Sequence, residues 1–274
     1  MRHLPEPLAR SRWADRLAIA VDAVRSAGAA LLELRGSIRG SEAAGGQLKT
    51  SADLAAEGWV LGFLEGSFPE DRFLAEERFD RDGTPWPGAS TYWTVDALDG
   101  TRSFVEGFDG FCVQVAFIEN GEPRVGAICE PVTGSVFAAV TGGGAWKLQG
   151  ANAFRLTGSS VNAVSPGLRF VDSTRPDGSV GKLFERTQGR FVECGSVGLK
   201  ICRLVEDQAD VYAKRFSPKL WDVAPGAVLL AEVGGTLRNW DGTPFDYTGT
   251  RTHYTGVVAA SHGLYAELLG DVGA

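Results

Sequence analysis

An apolar run, Tyr92-Trp93-Thr94-Val95, leads into Asp96-Ala97-Leu98-Asp99-Gly100-Thr101, so that two aspartates stand three residues apart just before a Gly-Thr pair. The run reads as a buried strand, and a strand end is a rigid place from which to present polar groups. Two hard carboxylates held close together repel each other unless a cation lies between them, and Mg²⁺ is the cation suited to all-oxygen ligation. Gly100 lets the backbone approach a ligand closely. If a helix or turn opens there, the amides of Gly100 and Thr101 face an anion. Metal carboxylates beside an anion cradle are the parts of a phosphoryl-transfer site. The same spacing also serves an Asx turn that caps a helix, and this segment by itself leaves that alternative open.

Two further patches have related chemistry. Phe73-Leu74-Ala75 is a short apolar strand that again ends in carboxylates, Glu76 and Glu77, although charges at a strand end can also be merely solvated. Trp221-Asp222-Val223-Ala224-Pro225-Gly226 leads into a helix closed by Gly234-Gly235, where Asp222 could equally be an N-cap with Pro225 in the first turn.

The elements that must position these residues are legible as periodicities. Leu17, Ala20, Val21, Val24, Ala27, Leu31 and Leu34 recur at helical spacing and predict a long amphipathic helix from about Ser11 to Arg35. A second helix is expected from Ser51 to Gly66. Between them, Gly36 to Gly46 reads as a loop that is mobile and orders over bound metals; Gly83 to Ser90 reads as a Pro/Gly loop. From Phe111 to Val140 the pattern turns to hairpins: Cys112 to Ile118, a turn at Asn120-Gly121, Arg124 to Cys129, then Ser135 to Val140. Gly142-Gly143-Gly144 reads as a tight turn before Ala145-Trp146-Lys147, not as a phosphate loop. The second half alternates strand and helix: Leu168 to Asp172, a helix from Gly198 to Glu206, Ala209 to Ala213, a helix from Pro225 to Val233, Val257 to Ser261 and a short final helix. Layered sheets and helices follow from this mixture.

Composition narrows the function. The 274 residues are 44% hydrophobic and 22% charged, as in an ordinary soluble enzyme. No apolar run approaches the roughly 18 residues of a membrane span, and Met1 to Arg12 has no apolar signal core, so a cytoplasmic protein without a membrane partner is expected. Cys112, Cys129, Cys194 and Cys202 form no CxxC pair and read as buried free thiols. His3, His253 and His262 are too scattered for a zinc site or a Ser-His-Asp triad. A net charge of −7 argues against a nucleic-acid polymer as partner. It leaves room for a small phosphorylated substrate met by bound cations. No G-x-G-x-x-G sits between a strand and a helix as a dinucleotide-binding oxidoreductase requires.

Four blocks, taken in order, resemble the inositol monophosphatase superfamily: Lys49-Thr50-Ser51-Ala52-Asp53 with Glu57; Ala75-Glu76-Glu77; Trp93 to Phe104 with its Asp96-x-x-Asp99-Gly100-Thr101; and Trp221-Asp222 through Glu232-Val233-Gly234-Gly235. The resemblance spans roughly residues 15 to 250. It implies a mixed α/β chain with the five-layered αβαβα sandwich of the inositol monophosphatase/fructose-bisphosphatase type. Residues 1–150 would form an α+β half carrying Glu76, Asp96 and Asp99, and residues 151–274 an α/β half carrying Asp222. It further implies a Mg²⁺-dependent phosphomonoester hydrolase. Glu76, Asp96 and the Leu98 carbonyl would bind a first metal, Asp96, Asp99 and Asp222 a second, and Glu76 with waters a third. Thr101, paired with Asp53, would orient the attacking water, while the Gly100 and Thr101 amides would hold the phosphate. A one-step in-line attack by metal-activated water would need no phosphoenzyme. A homodimer and inhibition by Li⁺ come with the same resemblance. The chain departs from the family at Ala97, where proline is usual; proline would stiffen the turn without supplying a ligand.

For the substrate, Ser196 to Cys202, Ala209 to Tyr212, Arg215 to Asp222 and Gly242 to Thr248 look most like the 3′(2′),5′-bisphosphate nucleotidase branch, which acts on 3′-phosphoadenosine 5′-phosphate. Lys214 and Arg215 stand where inositol phosphatases tend to place a glutamate. Lys200 and Arg215 are therefore expected to bind substrate, Arg215 on the non-scissile phosphate, while solvated surface charge serves equally for Lys200, Lys214 and Arg215, and Lys200 also reads as a helix residue that packs by its stem. Inositol 1-phosphate, or another sugar or amino-alcohol phosphate, is the alternative.

Overall fold

The computed structural model describes residues 4–35, 41–42, 48–82, 90–248 and 254–272. Most of the expected loop at 36–46, and residues 83–89 of the Pro/Gly loop, lie outside these.

The chain opens with a one-turn helix α1 (Glu6–Ala9) and then α2 (Ala14–Leu34). The expected helix from about Ser11 to Arg35 is α2, which begins three residues later, and α1 is a separate turn ahead of it. Proline at the start favours a separate first turn, and the Ser11 hydroxyl accepts from the Trp13 amide in the break. A short pair, β1 (Ser41–Glu42) and β2 (Leu48–Lys49), precedes α3 (Ser51–Ser67), β3 (Phe73–Ala75), α4 (Glu76–Asp82), β4 (Thr91–Asp99) and α5 (Thr101–Glu106). Next come β5 (Cys112–Glu119), β6 (Glu122–Glu130), β7 (Ser135–Val140), β8 (Gly144–Gln149) and β9 (Asn152–Arg155). The β5–β6 hairpin turns at Asn120-Gly121, both with positive φ (54° and 73°), the twist that matches paired strands. The second half runs β10 (Arg169–Asp172), α6 (Gly178–Arg186), β11 (Arg190–Glu193), α7 (Val197–Val205), β12 (Val211–Lys214), α8 (Leu220–Glu232), β13 (Gly235–Arg238), β14 (Val257–Ser261) and α9 (His262–Val272).

Strands β3 to β9 make one seven-stranded sheet in sequence order, with β3 parallel to β4 and every later neighbour antiparallel. The others make a five-stranded sheet ordered β11-β10-β12-β14-β13. Strands β9, β11 and β13 escape the sequence pattern because they are short and lie at sheet edges, where apolar alternation is weak; β9 is exposed along its whole length.

Three apolar clusters stack these elements into five layers. One joins α2 and α3 (Leu17, Val24, Leu31, Val60, Leu64) to one face of the large sheet (Val95, Val113, Val115). A second fills the space between the two sheets around α7 and α8, with Ile201, Leu204, Trp221 and Leu229. A third packs α6 and α9 (Leu183, Phe184, Leu264, Leu268) on the outer face of the small sheet. The order αβαβα is the one expected. All four cysteines are buried and unpaired. Among the described residues no helix is long and apolar enough to cross a membrane.

Candidate active site

Residues i and i+3 of a regular strand face opposite ways, yet Asp96 and Asp99 turn toward one another. The reason is a bulge. Strand β4 pairs with β5 in step from Thr91↔Glu119 to Asp96↔Gln114, then slips so that Asp99 stands opposite Cys112. The extra residue brings both carboxylates to one side, and Gln114 Nε2 donates to an oxygen of each at 3.2 Å. Asp96 Oδ1 also accepts from the Leu98 amide at 3.1 Å, so the Asx turn is present as well. Gly100 then turns the chain with φ at 92°. A Cβ there would lie 2.6 Å from the Gly110 carbonyl oxygen, so both backbone conformation and space require glycine. Thr101 opens α5 directly behind it.

Asp53 reaches this point from α3. Its Oδ2 accepts from the amide and hydroxyl of the N-cap Thr50, both at 2.7 Å, and its Oδ1 accepts from the Thr101 hydroxyl at 2.9 Å. The same hydroxyl lies 3.2 Å from the Leu98 carbonyl. Glu57, one turn further along α3, takes the Glu77 and Arg78 amides at 2.7 and 3.1 Å and so seats the helix that starts at Glu76. Asp222 is the third residue of α8, where it accepts from the Lys219 amide at 2.8 Å. The helix starts at Leu220, before the expected Pro225, because this bond back to Lys219 closes the first turn; Asp222 is not the N-cap, and Pro225 lies inside the helix.

These elements enclose a cleft of about 440 Å³ lined by Asp53, Glu76, Asp96, Leu98, Asp99, Gly100, Thr101 and Asp222 together with Lys49 and Trp221. Burial pushes the acids up, and their mutual repulsion adds to it. Glu76 is raised by burial and then by Asp222; Asp96 by burial and then by Glu76, Asp99 and Asp222. Asp222 is pushed up to about 8 by burial and then by Asp99. Asp99 is raised by burial, partly offset by the Gly198 amide and the charge of Lys200. Burial works against the Lys49 ammonium, but bonds to Asp80 (2.6 Å) and Glu77 (3.0 Å) outweigh it and raise its pKa.

Four repelling carboxylates and a backbone carbonyl in one cleft form a hard, all-oxygen donor set that fits Mg²⁺ by its chemistry. The side chains stand apart, since no three His, Cys, Asp or Glu side chains among the described residues are gathered round a common ion position. Protein donors hold Asp96 and Asp99 (Gln114 Nε2), Asp99 again (Gly198 N, 2.9 Å) and Asp222 (Lys219 N).

Lys200 and Arg215 are not brought into the cleft lining. Lys200 is buried behind it, 3.2 Å from Asp172 and over the Tyr212 ring, because its stem belongs to the core face of α7. Arg215 lies over the Trp240 ring, 4.7 Å from its centre, in a neighbouring cavity of about 550 Å³. Of the residues now seen in the site, Gln114, and the part played by Glu57, had not been read from the sequence. A lone amide inside the apolar run Phe111-Cys112-Val113-Gln114-Val115-Ala116-Phe117 was the available signal.

The inositol monophosphatase family model matches residues 13–273, and the chain belongs to that family. Its members are metal-dependent phosphatases, typically using Mg²⁺. The 3′(2′),5′-bisphosphate nucleotidase CysQ of Escherichia coli K12 is 29% identical over 203 residues, covering 73% of this chain and 79% of that protein. Inositol monophosphatase 3 of Solanum lycopersicum is 30% identical over 247 residues, covering 87% and 91%. The inositol monophosphatase structure from Anabaena (Nostoc) has a TM-score of 0.75 at 26% identity, covering 95% of this chain and 96% of that one.

Proposed function

We propose that this phosphatase binds two or three Mg²⁺ ions through Glu76, Asp96, the Leu98 carbonyl, Asp99 and Asp222, and hydrolyses a 3′(2′),5′-bisphosphate nucleotide such as 3′-phosphoadenosine 5′-phosphate. The observation that carries the catalytic reading is the shared cleft: four mutually repelling carboxylates beside the Thr101–Asp53 pair. When bound, Mg²⁺ offsets the acid cluster, lowers the pKa of a water and takes up charge on the leaving oxygen. The Thr101 hydroxyl gives its hydrogen to Asp53, which leaves its lone pairs to accept from the attacking water and aim it. Asp53, fixed by Thr50, holds that orientation and stands ready to take the proton through Thr101. The Gly100 and Thr101 amides, at the head of α5, face the phosphate oxygens.

What supports a second phosphate on the substrate is the adjoining cavity. The chain from Lys214 to Ser217 walls both spaces, with Lys214 and Arg215 on one and Phe216 and Ser217 on the other. The neighbouring cavity also holds Lys182 and the buried Trp240, whose Nε1 has no partner. The test is phosphate release from 3′-phosphoadenosine 5′-phosphate and inositol 1-phosphate side by side with Mg²⁺. The nucleotide should win by about 100-fold in kcat/KM, about 2.7 kcal/mol of discrimination. Arg215→Ala should raise KM for the bisphosphate and leave inositol 1-phosphate unchanged; an unchanged bisphosphate KM removes Arg215 from substrate binding. The inositol-phosphate reading is favoured by the inositol monophosphatase relative, which aligns over more of the chain. Li⁺ inhibition and a homodimer, measurable by light scattering, belong to the same proposal.

A further inference from the structure

Gln114 is fully buried as the third residue of β5, a strand whose other buried residues are apolar. It stands directly across the sheet from Asp96. Its one NH₂ group is divided between Asp96 Oδ2 and Asp99 Oδ2, each 3.2 Å away. Ionised, as metal ligands are, the two carboxylates can only accept, so the amide is oriented with nitrogen toward them. Its Oε1 is buried with no partner. A side chain present only to fill space would be apolar here and would leave no orphan oxygen. Room for that oxygen is made from the other side: a Cβ on Gly198 would lie 2.4 Å from Gln114 Oε1, while the Gly198 amide bonds the same Asp99 oxygen.

We propose that Gln114 is a positioning residue for the metal site, a neutral clamp that sets the spacing of Asp96 and Asp99. The inference rests on those two aspartates being metal ligands. Two N–H donors on one nitrogen draw the carboxylates to a common side and leave Asp96 Oδ1 and Asp99 Oδ1 free of Gln114. A lysine could do the same, but its charge would compete with the cation; an amide holds the acids without opposing the ion. Groups that fix the orientation of a ligating side chain typically matter about 10–100-fold in metal affinity or activity.

The test is calorimetric titration of Mg²⁺ into the full chain, without substrate, for the parent and for Gln114→Met, which keeps the volume and removes both donors. Weaker Mg²⁺ binding by about 10–100-fold, with an unchanged circular dichroism spectrum, is the expected result. Activity of the variant should recover in large part as Mg²⁺ is raised, because the defect lies in assembling the site. Mg²⁺ affinity within about twofold of the parent, or activity lost equally at every Mg²⁺ concentration, overturns the proposal. Should Gln114→Met not fold, Gln114→Asn keeps a polar group but is too short to span both acids; it should weaken Mg²⁺ binding in the same direction, and parent-like affinity overturns the proposal. A parent chain that binds no Mg²⁺ overturns the metal reading of the cleft, and the clamp with it.

Discussion

Asp222 shows most directly how burial becomes a measurable property. Burial and then the charge of Asp99 push its pKa up to about 8 from an ordinary value of 3.8. An acid raised by folding keeps its proton in the folded state after the unfolded chain has lost it. Between those two values the folded state holds more protons, so metal-free stability falls as pH rises through that window. A cation reverses the preference, because it binds the ionised form and releases protons. Mg²⁺ affinity is therefore expected to climb below pH 8 by about tenfold per pH unit for each proton released. Calorimetry from pH 6 to 9 measures this, and a flat affinity below pH 8 would contradict the assigned protonation. Asp222→Asn should remove the share of the pH dependence that belongs to Asp222, together with the activity, and leave that of Glu76 and Asp96. Thr101→Val removes the hydroxyl that spans Asp53 and the water; a kcat loss of about 10²–10⁴-fold is expected, with Mg²⁺ affinity unchanged.

At the scale of elements, the site depends on where helices begin. Glu57 holds the Glu77 and Arg78 amides and so fixes the entry of α4, whose first residue is Glu76. Glu57→Ala leaves those two amides without their acceptor and should cost about 1–2 kcal/mol, the range of a lost cap. Urea denaturation measures that cost, and weaker Mg²⁺ binding should accompany it; a variant of parent stability would mean that α4 needs no such cap. The starts of α5, α7 and α8 were only partly legible in the sequence. Asp96, Asp99, Glu76 and Asp222 stand out because carboxylates at the ends of apolar runs are rare and local. The long helix α2 and the β5–β6 hairpin, with its Asn120-Gly121 turn, are likewise local patterns. What the pattern cannot carry is non-local. The bulge that turns Asp96 and Asp99 to one side exists only against β5. The first turn of α8 is closed by Asp222 bonding back to Lys219, which hides the helix start ahead of Pro225. For Lys200 the sequence leaves substrate ligand and stem-packed helix residue both open, because charge in sequence does not reveal burial; in the fold it is buried on α7 and paired with Asp172.

Across the whole molecule, the cleft lies where layers meet. Glu76, Asp96 and Asp99 come from β3–α4 and β4 of the large sheet, Thr101 from α5, and Asp222 from α8 in the layer between the sheets. The Gly198 amide at the start of α7 reaches Asp99, and Asp53 of α3 accepts from Thr101 beside it, so three layers already meet at this point. A cation shared by Asp99 and Asp222 would tie the large sheet to α8, and its binding energy would act on the whole fold. Ligand held at about 100 times its Kd adds about 2.7 kcal/mol. In a chain of this size each kcal/mol raises Tm by about 2–4 °C, so Mg²⁺ with inorganic phosphate should raise Tm by about 5–11 °C. Hydrogen exchange under the same conditions should slow in β4, α5 and the first turn of α8 together. Protection confined to β4 and α5 would mean that Asp222 does not share the ion and that the layers are joined by packing alone. In Asp222→Asn the Tm rise should shrink and the α8 protection should vanish while that of β4 remains, because Asp96 and Asp99 are still clamped by Gln114.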